Sequence, residues 1–221
     1  MKTELSYTEE NYLKAIFSLS KKKNTPVSTN HLAEKLETKP SSITDMVKRL
    51  ADKKLVDYTK YQGASLTEKG KKTAISTIRN HRLWEVFLVD KLDFKWDEVH
   101  DLAEQLEHIK SDHLIDRLDS FLNHPIHDPH GDPIPDKDGN LHAIEKSLLS
   151  SFKEQEVGIC VGVEDSSSEF LRFLDKQGIA LGQKIEIMEK EPFDGSITIK
   201  INKKIISISI KIADNLYLQK Q

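Results

Sequence analysis

Two stretches of this chain place metal-liking side chains at helical spacing. His81 and Glu85 are four residues apart, and His100, Glu104, Glu107 and His108 sit at i, i+4, i+7 and i+8. At about 3.6 residues per turn each set stacks on one stripe of a helix. Imidazoles and carboxylates converging without a thiol suit a divalent first-row cation, so the chemistry expected is metal sensing or metal-assisted reaction. A solvated face usually intersperses lysine among its carboxylates, and the second stripe has none, which favours ligands over a solvent face. His113 and His142 lack such company and are read as ordinary surface or core residues. His124, His127 and His130 fall in a proline-rich loop and are read as structural or solvent-exposed.

The elements that must position these residues follow from periodicity. Thr8 to Leu19 reads as an amphipathic helix with Tyr12, Leu13, Ile16 and Phe17 inward. Ser28 suits the N-cap of a short helix through Leu36. Pro40 and Ser41-Ser42 open a third helix to Lys53, with Ile43, Met46, Val47 and Leu50 at core spacing. Two short helices joined by a tight turn outline a helix-turn-helix, and a hairpin around Gln62-Gly63 would be its wing. A longer helix runs from Thr67 toward Leu88, and a further one from Trp96 or Asp97 to about Asn123. Trp84 and Trp96 are assigned to the helical or dimer core.

Residues 124–140 are too rich in proline and glycine for regular structure, and Ala143 to Phe152 reads as a polar join. From Glu156 the pattern becomes strand-like at 157–163, 184–190, 196–201 and 204–210, with one short helix ended by Gly178. That is a small all-β module of SH3-like size. The fold expected is mostly α with a small β part: a winged helix-turn-helix (1–73), a helical dimerisation and metal-binding domain (74–140), a linker (141–155) and an SH3-like β-barrel (156–221).

Charge is distributed unevenly along the chain. Residues 1–73 hold 15 Lys and Arg against 9 Asp and Glu, although the whole chain carries −3. A basic first third joined to an acidic, His-rich remainder fits a nucleic-acid module fused to a cation-binding one. No apolar run approaches the ~18–20 residues of a membrane span, and Met1 to Leu5 lacks the apolar core of a signal peptide. The single Cys160 excludes an intrachain disulfide and is read as a buried small hydrophobe in a reduced compartment. A cytoplasmic location is expected, with no membrane partner and no small organic substrate.

Taken in order, several segments resemble the diphtheria-toxin-repressor family of metal-dependent transcriptional regulators. They are Thr8-Glu9-Glu10-Asn11-Tyr12-Leu13-Lys14-Ala15-Ile16, Lys39-Pro40-Ser41-Ser42-Ile43-Thr44-Asp45-Met46-Val47, Leu66-Thr67-Glu68-Lys69-Gly70, His81-Arg82-Leu83-Trp84-Glu85, the His100 to His108 stretch, and Pro129-His130-Gly131-Asp132-Pro133-Ile134-Pro135. The tail, with Leu171-Arg172-Phe173-Leu174, Gly178-Ile179 and Asp194-Gly195, is similar to the SH3-like domain of ferrous-transport accessory proteins.

The resemblance implies a homodimer with two metal sites per subunit that binds a palindromic double-stranded DNA operator. Carried over by position, the primary site is Asn11, Glu104, Glu107 and His108, and the ancillary site His81, Glu85 and His100. One or two of Glu164, Asp165 and Glu169 would complete the ancillary site from the C-terminal domain. Iron-type members place Cys and Met where this chain has Glu104 and Asn11, and their Cys before Pro-His-Gly is Asp128 here. Losing soft sulfur favours Mn2+, with Fe2+ the alternative. Asn11 is a neutral amide where manganese-type members carry Asp, and Lys14 stands where some carry a second ligand.

In such a winged helix Ser41, Ser42, Thr44 and Asp45 would face the major groove, with Lys39, Lys48, Lys53, Lys60 and Tyr61 against the backbone. The same hydroxyls also suit an ordinary N-cap and first turn. Two other functions compete. A di-metal carboxylate enzyme would draw on Asp97-x-x-His100, but a bundle site needs two such pairs and leaves the basic winged helix unexplained. A winged helix answering an organic effector would make the metal incidental. No nucleophile–base pair or phosphate loop is present, so no catalysis is expected.

Overall fold

The computed structural model describes residues 5–23, 25–141 and 144–221; His142 lies outside them. It divides into two compact units, one comprising residues 1–81, 104–116 and 135–140, the other 82–103, 117–134 and 141–221.

In the first unit, α1 (Tyr7–Lys23), α2 (Thr29–Lys35) and α3 (Pro40–Asp52) precede a hairpin of β1 (Val56–Thr59) and β2 (Gly63–Leu66). A reciprocal cap starts α1: Ser6 N donates to Glu9 Oε2 at 2.9 Å, and Glu9 N donates to Ser6 Oγ at 3.3 Å. Ser28 Oγ accepts from His31 N at 3.2 Å and so caps α2 as expected. Helices this short do not hold in isolation. They hold here because Leu13, Ile16, Leu32, Ile43, Val47 and Leu50 are all withdrawn from water into one core, each contributing on the order of 2 kcal/mol. The hairpin pairs Val56 with Leu66 through to Thr59 with Gly63. Val27 extends it by exchanging two 2.8 Å backbone hydrogen bonds with Ala64. Gly63, at φ +107°, is required there, since a Cβ would come within 2.6 Å of the Val27 carbonyl oxygen.

Three central helices follow: α4 (Glu68–Leu92), α5 (His100–Leu106) and α6 (Asp112–Phe121). The sequence predicts a single helix from Trp96 or Asp97 to Asn123; the chain instead breaks it at 107–111. Ser111 Oγ accepts from Leu114 N and starts α6 afresh, while Asn80 Nδ2 donates to the Glu107 carbonyl that the broken helix leaves open. Glu107 and His108 therefore sit in a turn rather than on the stripe drawn from His100.

The second unit is dominated by a six-stranded antiparallel sheet in the order β3-β8-β4-β5-β6-β7. Its strands are β3 (Ser147–Leu148), β4 (Val157–Val163), β5 (Lys184–Lys190), β6 (Ile197–Ile201), β7 (Lys204–Ile208) and β8 (Leu216–Lys220), with α7 (Ser168–Gln177) and α8 (Ile210–Ala213) between them. The join expected at 141–155 contains β3, paired with β8, and Leu149 and Phe152 are completely buried in the sheet's core. Trp96, expected in the helical or dimer core, packs on this core, its Nε1 donating to Asp175 Oδ2 at 3.2 Å. Cys160 is buried in β4, where desolvation pushes its thiol up to about 11. Among the described residues no helix is long and apolar enough to cross a membrane.

Candidate functional site

One stripe of α1 carries Tyr7, Glu10, Asn11 and Lys14 at i, i+3, i+4 and i+7. Three of the four reach the 104–108 segment in the first unit. Glu10 Oε2 lies 2.6 Å from His108 Nδ1, and the Tyr7 ring stacks on His108 at 4.4 Å. Lys14 Nζ lies 2.8 Å from each carboxylate oxygen of Glu107 and 3.4 Å from Glu104 Oε1. His81 Nδ1 sits 2.6 Å from Glu107 Oε2. Burial alone would raise the Glu107 carboxyl, but the His81 hydrogen bond and the Lys14 charge outweigh it and hold the group below its ordinary value. Asn11 Oδ1 is buried with no hydrogen-bond partner among the described residues. An orphaned acceptor on the stripe facing two carboxylates and an imidazole fits a divalent cation, since such an oxygen otherwise costs free energy. Glu104, Glu107 and His108 thus lie against the α1 stripe that carries Asn11, although among the described residues their ligand atoms are not all drawn within 4.8 Å of one another. Sequence reading missed Glu10, which orients His108, although its place one residue before Asn11 was visible.

The second unit holds another group. Glu85 Oε1 lies 3.6 Å from His100 Nδ1 and 3.6 Å from His130 Nδ1. Ligand atoms of Glu85, Asp128 and His130 all fall within 4.8 Å of one another, and all three side chains are buried. Burial and the nearby Glu85 and Asp132 charges raise Asp128 to about 7. Burial lowers His130, but its hydrogen bond and charge interaction with Glu85 prevail and raise it to about 9. Asp128 Oδ1 accepts from the backbone N–H of both His130 and Asp132, and Arg82 donates to Asp132 and to the Pro133 carbonyl. Gly131, at φ +82°, is needed because a Cβ would overlap the Val161 carbonyl. His130 is therefore an interior residue, which fits the structural half of its expected reading and not the solvent-exposed half. The available signal was Asp128, which replaces a family cysteine two residues before it.

Of the other ancillary residues, His81 is not set apart, since its ligand atom falls within 4.8 Å of those of Glu85 and His100, whereas Glu164 and Asp165 are. His81 is one turn before Glu85 on α4, with its Nδ1 on Glu107. Glu164 accepts from the Tyr217 hydroxyl at 2.7 Å, and Asp165 Oδ1 accepts from Ser167 N; neither joins the Glu85 group among the described residues.

On α3 the buried Ile43, Val47 and Leu50 leave Ser41, Ser42, Asp45, Lys48 and Arg49 exposed on the other side. Thr44 Oγ1 donates to the Pro40 carbonyl, and Lys39 stands at the N-cap position with no side-chain cap bond. At the wing, Tyr61 takes φ +67° and is 92 % exposed, with Lys60 Nζ 4.9 Å from its ring centre. A groove of about 200 Å³ runs between them, lined by Ser28, Thr29, Thr44, Tyr58, Lys60 and Gly63 among others. Lys53 is not part of this face, because its Nζ is 2.6 Å from the buried Glu9 Oε1. Arg49 was missed, though it follows Asp45 by one turn.

A winged helix-turn-helix joined to imidazole–carboxylate groups defines a metal-dependent DNA-binding regulator. Comparison with known proteins agrees across the chain. Residues 4–64 match the iron dependent repressor N-terminal DNA binding domain, residues 67–136 the iron dependent repressor metal binding and dimerisation domain, and residues 148–220 the FeoA domain. The iron-dependent repressor IdeR of Mycobacterium tuberculosis is 37 % identical over 132 residues, which is 60 % of this chain and 57 % of that protein's own length. The diphtheria toxin repressor of Corynebacterium diphtheriae is 29 % identical over 98 % of both chains. A solved manganese-dependent transcriptional repressor in complex with manganese superposes with a TM-score of 0.87 at 32 % identity, covering 96 % of this chain and 100 % of that one. The chain belongs to the iron-dependent repressor family of metal-dependent transcriptional regulators, which are DNA-binding proteins rather than enzymes.

Proposed function

We propose that this protein represses metal-uptake genes in the cytoplasm when Mn2+ is plentiful, with Fe2+ as the second reading. The observation that supports it best is the α1 stripe facing Glu104, Glu107 and His108 with an orphaned amide oxygen in its middle. Asn11 Oδ1, a carboxylate oxygen from each of Glu104 and Glu107, and His108 Nε2 would hold the cation. This set is oxygen-rich and free of thiolate, which favours Mn2+, while borderline Fe2+ tolerates the same donors. A cation held there would supply bonds between α1 and the 104–108 segment. Because α1 shares a core with α2, α3 and the wing, fixing α1 fixes the face carrying Ser41, Ser42, Thr44, Asp45 and Lys48. Glu85, Asp128, His130 and His100 form the candidate second site.

A homodimer is supported by large apolar side chains exposed on or just beyond the central helices: Leu92 on α4, Phe121 on α6 and Ile126 in the loop after it. Two recognition helices about 34 Å apart would then read successive major grooves of a palindrome. Coupling must be reciprocal, with DNA tightening metal binding by the factor that metal tightens DNA binding. The experiment is to select duplexes from a random library with Mn2+-loaded protein and measure their affinity with Mn2+, with anaerobic Fe2+ and with chelator. Metal-dependent binding to an inverted repeat is expected. Binding unchanged by chelator would overturn the reading and favour an organic effector.

A further inference from the structure

Lys14 occupies the place in the first site where positive charge is most needed. Its Nζ is 2.8 Å from both oxygens of Glu107 and 3.4 Å from Glu104 Oε1. The Glu107 side chain is fully buried, whereas that of Lys14 remains 20 % exposed. We propose that Lys14 is a tethered cation that competes with the divalent metal for Glu104 and Glu107, and so sets the metal concentration at which the site fills. The inference rests on the ligand set proposed above.

Charge decides the matter. Two carboxylates balance one dication completely, and His81, 2.6 Å from Glu107, already adds positive charge on the same side. Dication and ammonium together would leave an uncompensated positive charge beside a buried group, which is strongly unfavourable at low dielectric. Among the described residues no third carboxylate contacts the Lys14 ammonium. Asn11 is an amide, and Glu10 is engaged with His108 at 2.6 Å and Lys110 at 3.9 Å. The two cations therefore exclude each other, and the partly exposed lysine stem gives the ammonium a route to water. Lys14 thus occupies the Glu104 and Glu107 carboxylates that a dication would need, and a dication held there would have to displace it.

The test is titration of Mn2+ into metal-stripped full-length protein, comparing wild type with Lys14→Met, Lys14→Arg and His108→Ala. At the site that His108→Ala abolishes, Lys14→Met should bind Mn2+ at least tenfold more tightly than wild type, and Lys14→Arg no more tightly. The Mn2+-induced rise in unfolding temperature should also be larger in Lys14→Met, because metal then replaces a charge that the variant lacks. Lys14→Gln, which can still donate to Glu107, serves as a second neutral variant should the methionine impair folding. Unchanged or weaker affinity in the neutral variants overturns the competition while leaving the site standing. Absence of any His108-dependent binding in wild type overturns both.

Discussion

Glu10 Oε2 lies 2.6 Å from Nδ1 of His108, which turns the other ring nitrogen, Nε2, toward Glu107 at 3.6 Å. A carboxylate behind a ligating imidazole fixes its tautomer and raises its basicity. Glu10→Ala is therefore expected to weaken Mn2+ binding at this site about 10–100-fold, measured by calorimetric titration of metal-stripped protein. Glu10→Gln can still accept a hydrogen bond from Nδ1 and should lose less. Equal affinity in wild type and Glu10→Ala would show that His108 needs no orienting partner.

Glu9, one residue earlier, faces the other way and serves the helix. It closes the cap with Ser6 and contacts Lys53 at 2.6 Å. Burial raises its carboxyl, but the Lys53 and Ser6 hydrogen bonds outweigh burial and leave it below its ordinary value. A carboxyl depressed in the folded state stabilises above its unfolded pKa, and that stability is lost as pH falls through the folded value. Urea unfolding between pH 7 and pH 3 should show a steeper loss of stability in wild type than in Glu9→Gln. At pH 7 Glu9→Ala should cost roughly 1–2 kcal/mol. Parallel pH profiles would show that the depression contributes nothing to folding.

Much of this was legible in the residues because it is local. The Ser28 cap, the α3 core positions Ile43, Val47 and Leu50, the Gly63 hairpin and strands 157–163 and 184–190 follow from period and turn chemistry alone. The break after Leu106 was not legible, because the residues 100–108 satisfy a helical stripe equally well. What decides is tertiary: Lys14, His81 and Glu10 claim Glu107 and His108, and Ser111 restarts the helix. Strand β3 was hidden for a similar reason, since its partner β8 lies about 70 residues away. The inward turn of His130 depends on Asp128 gathering two backbone N–H groups, which no periodicity reports.

The wing and α3 differ from Lys53 in what their charges contact. Lys48 and Arg49 are exposed on the face opposite the core, and Lys60 is exposed beside Tyr61, whereas Lys53 is bound to Glu9. Each lysine that meets a phosphate adds about 0.9 to the slope of log affinity against log salt. Lys48→Ala and Lys60→Ala should each lower that slope by about one and weaken binding across sequences, read by anisotropy on a selected duplex at several salt concentrations. Lys53→Ala should instead reduce stability and leave the slope unchanged. A slope unaffected by Lys48→Ala and Lys60→Ala would move the DNA face elsewhere.

His130 gives the second group a signature that separates it from the first. Its pKa is raised to about 9 by Glu85 and Asp128, so without metal the imidazole is protonated at neutral pH. The stability this provides is full below the unfolded value of about 6.5 and is lost as pH rises through about 9. A metal ligates only the neutral ring, so loading at pH 7 must expel that proton, with roughly half a proton more from Asp128 at about 7. Titrating Mn2+ in buffers of different ionisation enthalpy should therefore report more than one proton released on filling this group, and affinity should climb from pH 7 to pH 9. His130→Asn should abolish the release and reduce the stoichiometry by one metal while leaving the His108-dependent site intact. Proton release unchanged in His130→Asn would remove Glu85, Asp128 and His130 from the list of metal-binding groups and leave them as a buried structural network.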